Sequence, residues 1–551
     1  MILNKLKRIN WRTLLYNIFV GRTPARKLFL FYLYTIIIGI ILLSLPISFK
    51  NPYEVVLSDG SVREFSFIDS FFVTISAFTD TGLCSFVVAD TYNVFGQFVI
   101  MVLLQIGGVG LFVLYWLFWN IIFNNIFYKK IKGIPIHEKN KMGYSNSLLI
   151  FSERGNSKLG LTSTTIKSAI IFIFATEFIF AIIYSLWFGL VPAYQQVDIT
   201  TMVTNNNNIP ISTWFVDGTE YLPQFHNAGN AIWTGIFHSA SIMNNAGFDI
   251  IGNASVSPFR NGSGTFIQYM MIIQLVIGGI GYPVFYDIIQ WFKFKHHKQK
   301  FYFSLFTKVS VITYFTVFFI GLVFMMGFEF GLNNSLINTV NNTPELQGYF
   351  GTGSEKTWNE ITYVIFTTFS SRSAGVSTVP MSEMSDASKW IIIILMFIGC
   401  APSSTGGGIR TTVLAILVMT VVSIMRGHKK VVIFKRTIPQ NTVITAFVIV
   451  LMSAAIMIVF SIITYPTLLS NGHNYNFTDI IFEYSSAYGT VGLSTGVTSV
   501  LSLQTANSWF TAIFLSLIMI IGQLGVPTTL LSFKNKNNNK IIEYSEEELK
   551  I

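Results

Sequence analysis

The sequence predicts an all-α membrane protein assembled from four copies of one unit: a full span, a re-entrant half-helix, a glycine-bearing loop and a second span. Three observations predict it. Of 551 residues, 52% are hydrophobic and 11% charged, whereas soluble globular proteins carry roughly 25% charged residues. Apolar runs recur from Leu28 to Leu531 without a long polar linker, so one integral body replaces the several soluble domains such a length would suggest. Four similar strings of small residues, each ending in glycine and an apolar residue, lie between the runs.

Taken in order, a basic N-terminal arm occupies residues 1–27. The run 28–47 fills the roughly 20 residues a bilayer needs and lacks a small-residue cleavage site, so it reads as an anchor and no cleaved signal peptide is expected. With the run 97–118 it makes repeat 1, residues 28–125. Repeat 2, residues 168–291, has runs at 169–190 and 266–289. Repeat 3, residues 309–425, has a run at 309–328 and a broken second span at 390–425. Repeat 4, residues 441–532, has runs at 443–463 and 509–531, followed by a tail at 533–551. The expectation is therefore eight full transmembrane spans.

Basic residues mark the cytoplasmic side of a membrane protein. Of the 36 Lys and Arg, 29 fall in residues 1–27, 125–167, 292–308, 426–440 and beyond 533, whereas 191–229 and 465–508 contain none. A multi-pass protein of the cell membrane with both termini cytoplasmic follows. The excess of ten positive charges lies between apolar segments and forms no nucleic-acid patch. Cys84 and Cys400 belong to no CxxC, so neither a disulfide framework nor a zinc site is expected.

The four strings read SAFTDTGLC at 76–84, SIMNNAGFD at 241–249, SSRSAGVST at 370–378 and AYGTVGLST at 487–495. The apolar stretches before them, 67–78, 228–242, 358–370 and 477–486, are too short to span and typical of re-entrant helices. Non-helical backbone at membrane depth is tolerated only where it lines a cavity, since unsatisfied carbonyls in lipid cost several kcal/mol each. Four loops around one axis supply that cavity. Their carbonyl oxygens can replace the water shell of a monovalent cation, with Gly82, Gly247, Gly375 and Gly492 providing the unusual backbone angles. The half-helices would aim their negative C-terminal ends at the ion.

Second spans carry further small residues: QIGGVG at 105–110, IGGIGYP at 277–283 and IGQLGVP at 521–527, read as sites of close helix contact. The third repeat differs, with GCAPSSTGGGIRTT at 399–412 where a helix should continue. Pro402 removes a backbone donor, and Gly406, Gly407 and Gly408 cost roughly 1 kcal/mol each in a helix. A flexible loop midway along the path is expected, formed by Pro402, Ser403, Ser404, Thr405, Gly406, Gly407 and Gly408: a candidate gate.

These strings, with QIGG and PSSTGGG, resemble the ion-conducting subunit of bacterial Ktr/Trk potassium uptake systems over nearly the whole chain. With no further span pair before repeat 1, the Ktr type is the nearer likeness. The resemblance implies potassium uptake through a four-loop filter, an intramembrane gate in repeat 3, a homodimer and regulation by a cytosolic nucleotide-binding ring. Carried over, the filter is Thr81–Gly82–Leu83, Ala246–Gly247–Phe248, Ala374–Gly375–Val376 and Val491–Gly492–Leu493, each behind a polar residue: Asp80, Asn245, Ser373 and Thr490. The transported potassium would be the only metal, held at these residues, and no cofactor is expected in this chain; a nucleotide would sit on the partner. Two positions depart from the family pattern. Gln523 stands where a basic residue is common, and Asp80 where a neutral one is usual, so sodium-coupled or sodium-permeable transport is the alternative.

Asp80 reads either as a ligand or as an outer-vestibule residue in water, and Arg372 as an ion-pair strut for the loops. Arg410, following the glycines, is a gate element or a snorkelling charge. His238 has no second ligand nearby in sequence and reads as packing. The basic loops 293–300 and 426–436 are candidate docking points for the ring, and HHKQK at 296–300 could equally touch anionic lipid. An enzyme would need paired acid, base or metal ligands; there is no HExxH, no nucleophile motif, and GGGIRTT does not satisfy the phosphate-loop pattern. The Asn- and Lys-rich tracts suit a bacterial source.

Overall fold

The computed structural model describes residues 24–57, 61–109, 163–192, 197–198, 203–204, 210–211, 214–215, 222–252, 255–346, 348–428, 430–469, 475–498 and 506–526. The end of the run 97–118, the loop 125–162 and the tail 533–551 lie outside them, as does most of the arm 1–27. Among the described residues, fourteen helices of twelve residues or more carry the architecture: α1 Pro24–Ser44, α2 Phe67–Phe78, α3 Val94–Val109, α4 Ser163–Leu190, α5 Ala228–Met243, α6 Gly264–Ile280 and α7 Tyr282–His296. They continue with α8 Leu305–Gly331, α9 Ser354–Ser370, α10 Asp386–Ile398, α11 Thr411–Met425, α12 Gln440–Leu469, α13 Phe477–Gly489 and α14 Ala506–Leu524. Four two-stranded antiparallel ribbons are added to the expected all-α fold, such as Glu54–Val56 with Val62–Glu64.

Length and apolarity separate the helices into two kinds. Ala169–Leu190, Leu305–Asn342 and Gln440–Leu469 are long and apolar enough to cross a membrane, and α6 with α7 makes a fourth if the bent pair is one span. The expectation of eight is thus met by three or four among the described residues; α3, α11 and α14 are apolar but shorter, and α3 ends where the described residues do. Exposed large apolar side chains line the long helices, among them Phe178, Val323 and Leu451, a surface that water does not tolerate at this extent and lipid does.

Short helices α2, α5, α9 and α13 are the second kind, and they are enclosed. Every residue of α13 from Asp479 to Gly489 is buried, as is α2 from Ile68 to Phe78 apart from Phe71. Around them the contacts close a ring: α3 packs on α5, α6 on α9, α10 on α13, and α14 returns to α2. Two of the enclosed helices begin alike. Asp69 and Asp479 occupy the third helical position and accept the backbone N–H of Ser66 (2.8 Å) and Asn476 (3.2 Å), where a carboxylate also suits the positive end of the helix dipole. Each carboxylate is gripped by a cation: Arg63 bidentately, and Lys389 at 2.8 Å.

One expectation is corrected here. The run 266–289 is not a continuous span: α6 and α7 meet at 95°. Gly281 takes φ +91°, which a side chain resists, and Pro283 opens the next helix, where its missing N–H costs nothing. Repeat 3 breaks as expected, between α10 and α11.

Lys389 and Asp479 are both buried, so breaking the pair strands a charge, a change that typically costs about 3–5 kcal/mol. Lys389→Met is therefore expected to lower the thermal midpoint of the detergent-solubilised protein strongly, and Lys389→Met with Asp479→Asn to recover much of it. A single variant as stable as the parent would remove this clamp from the account.

Candidate functional site

The loops after α2, α5, α9 and α13 converge. Their glycines adopt φ +85° at Gly82, +72° at Gly247, +62° at Gly375 and +99° at Gly492, a region that favours glycine. More telling is what surrounds them. A Cβ on Gly82 would lie 2.5 Å from the carbonyl oxygen of Ala246, and one on Gly247 would lie 2.7 Å from that of Ala374. A Cβ on Gly375 would overlap the carbonyl of Val491, and one on Gly492 that of Thr81. Each loop thus presses the carbonyl of its small residue against the next loop's glycine, and the fourth closes on the first. Leu83, Phe248, Val376 and Leu493 are buried behind this ring.

The helix ends explain why the loops turn there. Thr81, Ala246 and Val491 donate their backbone N–H to carbonyls five residues back, those of Ser76 (2.8 Å), Ser241 (2.8 Å) and Ser486 (2.9 Å). Asp80, Asn245 and Thr490 just before them all take left-handed backbone angles. Loop 3 is one residue tighter: Ala374 donates to Ser370, four residues back, at 2.9 Å, and Ser373 is not left-handed. The second-span glycines seat these ends. Gly107, Gly278 and Gly522 lie against the carbonyls of Phe78, Met243 and Tyr488, with no room for a Cβ, so the strings read as helix contacts are the beds of the half-helices.

On one side the ring opens into a cleft of ≈ 320 Å³ lined by Gly82, Gly247, Gly492, Asp249 and Ser494. Asp249 sits in the loop beyond the ring, where burial pushes its carboxyl up to about 7 against hydrogen bonds from Ser255 and the N–H groups of Ile251 and Gly252. On the other side lies the loop between α10 and α11. Asn245 Nδ2 donates to Thr405 Oγ1 at 2.8 Å, and the Gly407 N–H donates to Thr490 Oγ1 at 2.8 Å. Gly406 abuts Ser373 without space for a Cβ. Three of the four polar residues before the ring therefore hold this loop. The backbone of α6 holds it too, through Ala401 N–H to Gly279 O (3.0 Å) and Thr405 N–H to Gly278 O (3.4 Å). Pro402, Ser404 and Gly408 are buried with it, Ser403 is half-buried at φ +61°, and Arg410 reaches back to the Gly406 carbonyl.

The fourth polar residue, Asp80, is fully buried on the same side of the ring rather than in an outer vestibule. Its Oδ2 accepts a hydrogen bond from Gln523 Nε2 at 3.1 Å, and the same amide donates to Gly107 O at 3.2 Å. The two positions that depart from the family pattern are thus in contact, though 443 residues apart. Arg372 is also corrected: no carboxylate pairs with it among the described residues, and its guanidinium sits over the Tyr314 ring at 5.0 Å. His238 packs between Phe188 and Phe237. Sequence reading missed Cys400, whose thiol donates to the Arg372 carbonyl at 3.3 Å, and Glu177, which accepts from Asn244 at 3.2 Å behind loop 2. The signal for Glu177 was an acidic residue inside an apolar run.

Residues 27–544 match the TrkH family, described as cation transport protein. The chain is 36% identical to an uncharacterized cation transporter of Mycoplasma pneumoniae, covering 99% of both. It is 28% identical to Ktr system potassium uptake protein D of Bacillus subtilis, over 95% of this chain and 96% of the relative. Identity to the potassium/sodium uptake protein NtpJ of Enterococcus hirae is 27%, over 87% and 88%. The potassium transporter TrkH from Vibrio parahaemolyticus shares the fold, with a TM-score of 0.55 at 14% identity, over 91% of this chain and 84% of that one.

Thr490→Val deletes the acceptor that holds the Gly407 amide. Hydrogen exchange across residues 399–410 should then accelerate about tenfold, matching the roughly 1–1.5 kcal/mol of one hydrogen bond. Unchanged protection would show that the loop is held by other means.

Proposed function

This chain belongs to the TrkH family of cation transport proteins, and from that premise we propose that it admits potassium through the ring of four loops. It is a transporter and not an enzyme. The observation that carries the reading is the cyclic contact of Gly82, Gly247, Gly375 and Gly492 with the carbonyls of the neighbouring loops. Closely set carbonyl oxygens can replace the hydration shell of a monovalent cation, and four half-helix C-termini facing the ring add negative potential. Asp80, Asn245, Ser373 and Thr490 would meet the ion as it leaves the ring. A membrane potential of 100 mV supplies roughly 2.3 kcal/mol per charge, enough to concentrate the ion without chemistry in this chain.

The loop from Pro402 to Gly408 acts as the gate. It lies directly against three of the four residues beneath the ring, so conduction requires the bonds from Asn245 and to Thr490 to part. Arg410, anchored on the Gly406 carbonyl, ties the loop to the start of α11. Four span–half-helix–loop–span units supply this arrangement, with eight spans and both termini on the cytoplasmic side; the closure of α14 on α2 supports the fourfold reading. Two copies of the chain associate, and a cytosolic nucleotide-binding ring docks on basic loops such as 426–436. A potassium/sodium pathway is the second reading, favoured by the carboxylate of Asp80 at a position beneath the ring.

Rubidium uptake into liposomes tests the proposal. Potassium is expected to compete better than sodium for the wild-type chain, and Gly375→Ser, whose new Cβ overlaps the Val491 carbonyl, to lose that preference. Serine at Gly82, Gly247 or Gly492 should act in the same direction. Wild-type ion ratios and rates in all four would refute the path. Separately, deleting Gly406–Gly407–Gly408 should raise flux without a partner subunit and leave the ion preference intact; a folded deletion no faster than wild type would remove the gate.

A further inference from the structure

The elbow between α6 and α7 joins two features that the transport path leaves unexplained. Beyond it, residues 288–308 carry five lysines and no acidic residue. Lys293, Lys295, Lys298 and Lys300 are all exposed, and so are two large apolar side chains beside them, Phe292 at 58% and Tyr302 at 79%. Lys295 lies over the Trp291 ring at 5.1 Å, and Trp291 in turn meets Phe303. A merely solvated basic loop has no reason to display aromatic rings. Lysines interleaved with exposed aromatics along the end of one helix and the loop after it are the composition of a segment that lies in a bilayer interface. The 95° bend supplies the orientation: with α6 upright in the membrane, α7 turns across it and carries its basic end away from the bundle.

The elbow is also the seat of the gate. Tyr282, the first residue of α7, donates its backbone N–H to the Ser403 carbonyl at 3.3 Å. A Cβ on Gly281 would lie 2.9 Å from the Pro402 carbonyl. The root of α7 is fixed by Phe285 stacking on Phe172 at 4.7 Å and by Asp287, which accepts from Thr307 Oγ1 at 2.6 Å and from the Ser304 N–H at 3.1 Å. A tilt of α7 therefore reaches Ser403 through one hydrogen bond.

We infer that α7 and the loop after it bind anionic phospholipid headgroups, and that this contact holds the elbow in the bend that keeps the gate loop latched. The gating half rests on the transport reading above; the binding half does not. Juxtamembrane lysines attract anionic lipid, and the neighbouring rings enter the headgroup boundary. The same charge could dock a protein, but Phe292 and Tyr302 beside the lysines at the end of a span favour the bilayer.

The test uses the full chain in vesicles of phosphatidylcholine alone or enriched in phosphatidylglycerol. Binding is read by fluorescence quenching of Trp291, isolated by difference from Trp291→Phe, with either lipid brominated. Brominated phosphatidylglycerol should quench more, and its advantage should fall about fivefold for each lysine among Lys293, Lys295, Lys298 and Lys300 changed to Gln. Single exposed-loop variants Lys298→Gln and Lys300→Gln keep the series readable if the quadruple variant does not fold. Rubidium flux without a partner should be lower in phosphatidylglycerol-rich vesicles for wild type and equal in both lipids for the quadruple variant. Equal quenching by the two lipids overturns the site, as does binding of a cytosolic subunit that these lysines alone decide. Selective quenching with lipid-independent flux overturns the link to the gate. No rubidium flux in any vesicle, with quenching still selective, refutes the transport reading and upholds the lipid site.

Discussion

Everything in this structure depends on four places where a backbone carbonyl lies against a glycine with no space for a side chain. Gly82, Gly247, Gly375 and Gly492 each accept the neighbouring loop where a Cβ would stand. Such close approach tolerates only glycine. It persists because the surroundings leave no alternative: the half-helices are enclosed and Gly107, Gly278 and Gly522 seat their last carbonyls. In the proposed transport reading, a cation on the axis would be coordinated by these same carbonyls.

The seat of the loop between α10 and α11 follows from the same geometry. The polar residues that turn the chain into the ring project to its other side, and there they meet the loop of repeat 3. A segment rich in glycine and hydroxyls is a poor helix and a good reversible contact, because its few hydrogen bonds can be exchanged for water or ion contacts. Repeat 1 is the exception. Asp80 turns to Gln523, which also bonds the Gly107 carbonyl; this ties loop 1 to α14 and leaves the contacts with residues 405–407 to loops 2, 3 and 4. One polar residue of the four thus anchors its loop to α14, while the other three meet the loop between α10 and α11.

Much of this was legible in the sequence because its causes are local. Residues 67–78 read as a half-helix and are one, since an apolar stretch too short to span still buries every face when others enclose it. Pro402 and the three glycines announced a break that α10 and α11 leave between them. Other features escaped. The bend at Gly281 lay inside IGGIGYP, where glycines meant for packing and a glycine meant for a positive φ look alike; Pro283 was the discriminating sign. Loop 3 is shorter by one residue although its string aligned with the others, because the difference is in which carbonyl of Ser370 or Phe369 caps the turn. The Asp80–Gln523 contact spans 443 positions and leaves no local trace. Eight spans were counted from hydropathy; among the described residues three helices, or four with the bent pair, are long and apolar enough to cross a membrane, and the end of the run 509–531 lies outside those residues.

The central claim is that the carbonyls of the four loops form one cation site on a shared axis. A crystal of the protein grown in rubidium and measured for anomalous scattering tests it most directly. The account predicts a rubidium peak within the ring of Thr81, Ala246, Ala374 and Val491 carbonyls, absent when Gly375 is replaced by serine. Rubidium bound only elsewhere, or an ordered ring that holds none at a concentration that saturates transport, would contradict it.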